Sequence, residues 1–131
     1  MLDHINTLDQ LEEEAKRIDT FLNITCSENP EECVSRGLDL SVYLARTGKM
    51  LADAHYWQDE AKKNSIVREI GQGLNISPSI LKLLVDASCK RENYILKWLD
   101  RMNATITHQL DFLRTVISKS KAELQSFGNN R

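Results

Sequence analysis

Tyr94-Ile95-Leu96-Lys97-Trp98-Leu99-Asp100-Arg101-Met102-Asn103-Ala104-Thr105-Ile106 is the stretch that decides the fold. Its apolar positions Tyr94/Ile95, Trp98/Leu99, Met102 and Ile106 continue into Leu110, Leu113, Ile117 and Leu124. Steps of three and four place one apolar stripe along an α-helix, whereas a strand needs alternation by two. Between Pro78 and Phe127 no proline or glycine interrupts the run, so the C-terminal part of the chain is expected to be helical throughout. As one helix it would reach about 75 Å at 1.5 Å per residue. A compact globule of this size measures roughly 35–40 Å across, so the helix either breaks or projects. The expected break is at Asp86-Ala87-Ser88-Cys89, where polar residues of weak helix propensity separate two apolar clusters. The remaining helix, residues 90–127, is still long for a globular protein. Its apolar seam needs a cover, either the second helix of the same chain or another copy, and the expectation is a homo-oligomer built around the C-terminal helices.

Working outward, Ser77-Pro78 opens this region with a serine cap and a proline at the first helical position. Upstream, Ser65 is read as the cap of a short helix, Ile66 to about Gln72, ended by Gly71, Gly73 and Asn75. Before it, Val34, Leu38, Ser41, Ala45, Gly48, Ala52 and Tyr56 mark one face of a second helix over residues 30–64, widened by Leu40, Leu44 and Leu51 and fading at Lys62-Lys63-Asn64. Its small residues allow close approach of another helix. Pro30, with Asn29 as cap and Glu31 and Glu32 at the positive end of the dipole, starts it. Ile5, Leu8, Leu11, Ala15, Ile18 and Leu22 give a first, acidic helix within residues 1–24, from about His4 to Asn23. The expectation is a single all-α domain, residues 1–131, a bundle of four to five helices with short helices over 66–88.

With 131 residues, 41% hydrophobic and 27% charged, the chain has material for one modest core and a solvated surface. No run approaches the roughly 18 apolar residues of a membrane span. The N-terminus carries acids where a signal peptide has a basic segment, so the expected location is the cytoplasm of the producing cell. Cys26, Cys33 and Cys89 are an odd number without Cys-x-x-Cys spacing, and are read as reduced thiols. Residues 1–33 hold nine acids against two bases, net −7, and residues 34–131 hold fifteen bases against ten acids, net +5. Two readings fit this asymmetry: an acidic helix resting on a mildly basic body, or a basic surface for an anion that the acidic arm shields.

Catalytic motifs are missing. Arg46-Thr47-Gly48-Lys49 lacks the glycine a phosphate loop needs five positions earlier, where Tyr43 stands. His4, His55 and His108 fall on different segments, so neither a metal site nor another cofactor is expected. Helical nucleotide hydrolases hold magnesium with paired carboxylates one turn apart on two facing helices. Glu12-Glu13-Glu14 offers acids, but no second helix supplies the match. His55-Tyr56-Trp57, and Tyr94 with Trp98, serve either a core or a stacked base. With no strong basic cluster and no helix-turn-helix pattern, duplex DNA is not expected as a partner.

In the last helix Arg114, Ser118 and Lys121 fall at i, i+4 and i+7 beside the apolar seam, with Thr115 and Lys119 continuing the polar surface. They form either a solvated basic flank paired with Asp111 or Glu123, or an anion site at the edge of a subunit interface.

The segment Thr107 to Glu123, with Arg114-Thr115-Val116-Ile117-Ser118-Lys119-Ser120-Lys121 at its centre, resembles small helical proteins of bacteriophages and mobile elements, in which Arg-x-x-Ile/Leu-Ser-x-x-Lys recurs near the end. The resemblance implies a phage setting, with proteins that assist recombination or blunt host defence, some as oligomeric sponges for cyclic nucleotide signals. Carried over, it selects Arg114, Thr115, Ser118 and Lys121 as anion contacts. The functional expectation is a non-enzymatic homo-oligomer that sequesters an anionic nucleotide. The alternatives are a protein-binding adaptor, such as a recombination or replication accessory, and an α-helical nucleotide hydrolase.

Overall fold

A computed structural model describes residues 4–71 and 76–129. These residues form four helices and no strand: α1 (Leu8–Leu22), α2 (Pro30–Gly71), α3 (Pro78–Ser88) and α4 (Lys90–Asn129). The all-α class and the long C-terminal helix are therefore as the sequence predicts.

Helix starts follow local hydrogen bonding. Thr7 Oγ1 accepts from Gln10 N at 3.2 Å while Gln10 Oε1 accepts from Thr7 N at 2.9 Å, a reciprocal cap that fixes the start of α1 at Leu8. The expected start at His4 is corrected because Asn6 is held elsewhere. Its backbone and side-chain N–H groups donate to Asp53 Oδ2 at 3.0 and 3.1 Å, and its carbonyl accepts from Trp57 Nε1 at 2.6 Å. Asn29 Oδ1 accepts from Glu31 N at 2.9 Å and caps α2, and Ser77 Oγ takes Ile80 N at the head of α3.

The second helix does not fade at Lys62-Lys63-Asn64. It continues to Gly71, and the separate short helix expected from Ile66 is part of it. Ser65 is buried and accepts a hydrogen bond from Ser88 Oγ at 2.8 Å, so it serves a tertiary contact rather than a cap. Gln72, Gly73 and Asn75 lie outside the described residues. The expected break before the last helix falls at buried Cys89, whose N–H is shared between Val85 O and Asp86 O at 3.1 and 3.3 Å.

α2 and α4 run antiparallel along nearly their whole length. Gly37 lies against Leu113, Thr47 bonds Asn103, Gln58 bonds Asn93, and Ser65 meets Ser88 just before α4 begins. Their seam buries Cys33, Leu40, Met50 and Ala54 from α2 and Ile95, Leu99, Met102, Ile106 and Leu113 from α4. α1 lies on one side of this pair and contributes Leu11, Ala15 and Ile18 to the same core. The acidic arm is used inside the chain: Glu14 pairs with Arg46, and Asp9 and Glu12 share Arg91. Burying three interleaved apolar stripes is the main stabilising term, at roughly 25 cal/mol per Å².

Among the described residues nothing covers the opposite side of the pair. Ser41, Ala45, Gly48 and Ala52 are exposed, and a Cβ added at Gly48 meets nothing within 4 Å. Three helices thus pack as a four-helix arrangement with one position open. α4 also overshoots α2: in the observed register Pro30 is level with about Ser120, at 1.5 Å per residue on both helices. Residues 121–128 are all exposed, with Leu124 at 74% and Phe127 at 79%.

Candidate binding site

The first half of α2 and the last third of α4 enclose an open groove of about 410 Å³. Cys33, Val34, Gly37, Leu38 and Ser41 line one wall, and Leu110, Leu113, Arg114, Ile117 and Ser118 the other. The groove exists because Val34 and Leu38, one turn apart, face solvent with no described helix above them, and the small Gly37 beside Leu113 leaves its floor shallow. Its floor is apolar. Its polar groups are the Arg114 guanidinium and the Ser118 and Ser41 hydroxyls, although Ser41 Oγ already donates to Gly37 O at 2.9 Å.

The structure brings two of the four sequence-selected residues together. Arg114 and Ser118 share the groove wall. Thr115 lies outside that lining and its hydroxyl donates to Asp111 O at 3.1 Å, whereas Lys121 stands exposed on the overshooting end of α4. Arg114 is 80% exposed and forms an ion pair with Asp111 one turn earlier, Nη1 to Oδ1 at 3.8 Å, too long for a hydrogen bond and weak at such an exposed site.

A second cleft, about 310 Å³, lies between the α1–α2 connection and α4, lined by Leu22 to Cys26 with Arg36, Gln109, Phe112 and Leu113. Arg36 is committed there, with its guanidinium 4.1 Å from the Phe21 ring centre and Nη2 donating to Gln109 Oε1 at 3.1 Å. Gln109 Nε2 in turn donates to Leu22 O at 3.1 Å. This three-way tie joins the end of α1 to α2 and α4, and no spacing pattern in the sequence marks it. The nearest sequence signal was the cationic residue one turn before Leu40.

Trp57 packs against the core and is tied to Asn6, so the core reading fits it. Trp98 is likewise half-buried, but Tyr94 is 65% exposed and forms a shallow cleft with Lys97, Trp98 and Arg101. The core reading of Tyr94 is therefore corrected. Thr47, within the false phosphate loop, is fully buried and accepts from Asn103 Nδ2 at 2.9 Å. Among the described residues no three histidine, cysteine or acidic side chains converge, and no helix is long and apolar enough to cross a membrane.

These features define an all-α protein with an open apolar groove edged by an exposed arginine whose one ion-pair partner among the described residues is Asp111, on its own helix. Comparison with protein-family models, curated proteins and solved structures finds no match.

Proposed function

We propose that this protein is a non-catalytic, self-assembling helical module that captures an anionic ligand beside the joint between copies. The observation that carries the reading is the position of Arg114 and Ser118 on the wall of an apolar groove that no described part of the chain fills. Apolar surface left in this state favours association. The complementary element is present on the same chain, because the tip of α4 presents Leu124 and Phe127 one turn apart with no cover. In a two-fold arrangement each tip enters the partner's groove against Val34 and Leu38, and the contact is self-complementary.

An arginine fork and a hydroxyl at the rim of such a joint, duplicated by symmetry, suit a phosphate-bearing ligand. A cyclic nucleotide signal is the ligand class that this geometry and the phage-type C-terminal motif jointly favour. Sequestration requires binding alone, and no bond is made or broken. Calorimetric titration against a panel of cyclic nucleotides tests the reading. Heat with at least one member, recovery of that ligand intact, and loss of the heat in Arg114→Ala are expected. Silence across the panel, or a cleaved product, overturns it.

A second reading, a protein-binding adaptor, is favoured by a separate apolar patch at the far end of the molecule. Val67 and Ile70 on α2 and Ile80, Leu83 and Leu84 on α3 are all more than 40% exposed there. Recovery of one stoichiometric protein partner, lost on Ile70→Asp and accompanied by no nucleotide heat, selects that reading.

A further inference from the structure

Two of the three thiols meet at one atom. Cys26, in the α1–α2 connection, and Cys33, in the first turn of α2, both direct their Sγ at the carbonyl oxygen of Ser27, each at 3.3 Å. The connection is folded to make this possible. Asn29 caps α2, Ser27 Oγ accepts from Asn29 N at 3.2 Å, and the Ser27 hydroxyl also bonds Glu32, so the chain curls back over its own helix start. Cys26 is partly exposed and Cys33 is buried. Cys89 sits elsewhere, buried at the α3–α4 break beside Ser88.

We propose that Cys26 and Cys33 form a reversible redox pair, joined by a small-molecule disulfide of the glutathione class into a bridge that locks the α1–α2 connection onto α2. The roles follow from access. Cys26, the thiol that solvent reaches, attacks as thiolate one sulfur of the small disulfide and expels one thiolate. Cys33 then gives up its proton and attacks the Cys26 sulfur, and the second small thiol leaves. Two protein thiols become one protein disulfide while one small disulfide becomes two thiols, so protons and electrons balance. Burial, and then the neighbouring Cys26, push the Cys33 thiol up, in keeping with its acting second. The bridge spans Cys26 to Cys33, a short ring between two side chains that already share an acceptor. Cys33 also lines the groove that holds Arg114, so bridging moves one thiol of that wall towards the connection.

The test uses the whole folded protein incubated with oxidised glutathione, then alkylated and mapped by mass spectrometry. The expected product is a Cys26–Cys33 bridge, two hydrogens lighter, with Cys89 alkylatable only after denaturation. In Cys33→Ser, Cys26 keeps the glutathione as a mixed disulfide, and in Cys26→Ser, Cys33 does not react until the protein is unfolded. A stable mixed disulfide on Cys26 of the unaltered protein, a bridge to Cys89, or no reaction at Cys26 overturns the pairing. None of these outcomes depends on nucleotide binding.

Discussion

Arg46 reaches from α2 to Glu14 on α1 with two prongs, Nε at 2.8 Å and Nη2 at 2.7 Å from the two carboxylate oxygens. The hydrogen bonds from Arg46 hold the Glu14 carboxyl below its ordinary range, partial burial opposes them, and the charges of Arg46 and Arg17 add to the lowering. A carboxylate with a folded-state pKa below its unfolded value contributes stability that is full above the unfolded pKa and is lost as pH falls through the folded pKa. Glu14→Gln is therefore expected to cost ~1 kcal/mol at neutral pH. The gap between variant and unaltered protein should close once the pH falls below the folded pKa. Urea denaturation at pH 7 and in acid checks both.

Thr47 and Asn103 form a polar link within the α2–α4 seam, 2.9 Å long, with Thr47 fully buried. Thr47→Val keeps the shape and removes the acceptor, leaving the Asn103 amide short of a partner. The expected loss is about 1–3 kcal/mol, read as a lower urea midpoint with an unchanged slope.

Gly48 lies inside α2 on its bare face, with open space around an added Cβ. Alanine there should stabilise the chain by about 0.5–1 kcal/mol, because glycine is the more costly residue in a helix interior. A thermal melt of Gly48→Ala checks the sign, and a lower midpoint would show that the face is closely covered.

Much of this fold was legible in the sequence. Ile95, Leu99, Met102, Ile106 and Leu113 are the buried side of α4, and Asn29-Pro30 and Ser77-Pro78 start helices by the chemistry their residue types imply. Where the reading failed, long-range contacts overrode local preference. Ser65 has the composition of a cap, but its partner Ser88 is twenty-three positions away, and Asn6 leaves the helical pattern to hold Asp53 and Trp57. In the candidate site, helical spacing correctly put Arg114 and Ser118 together. It also included Thr115, about 100° round the helix from Arg114, and Lys121, which lies beyond the level where α2 begins. That overshoot depends on the register between helices, which one chain's periodicity does not encode.

The assembly claim predicts paired effects from two distant positions. Leu38→Asp in the groove and Phe127→Asp at the tip of α4 should each separate the assembly into single chains. Both positions are exposed, so helical content by circular dichroism should stay the same. Dissociation by one variant and not the other would contradict the reciprocal tip-in-groove contact.

The most direct test of the central claim is the solution mass of the unaltered protein, measured by light scattering on a gel-filtration peak at about 100 times the dilution limit of a micromolar complex. A mass that is a multiple of the 15.0 kDa chain, falling to one chain in Phe127→Asp, is the expected result. A single 15.0 kDa species at that concentration contradicts it.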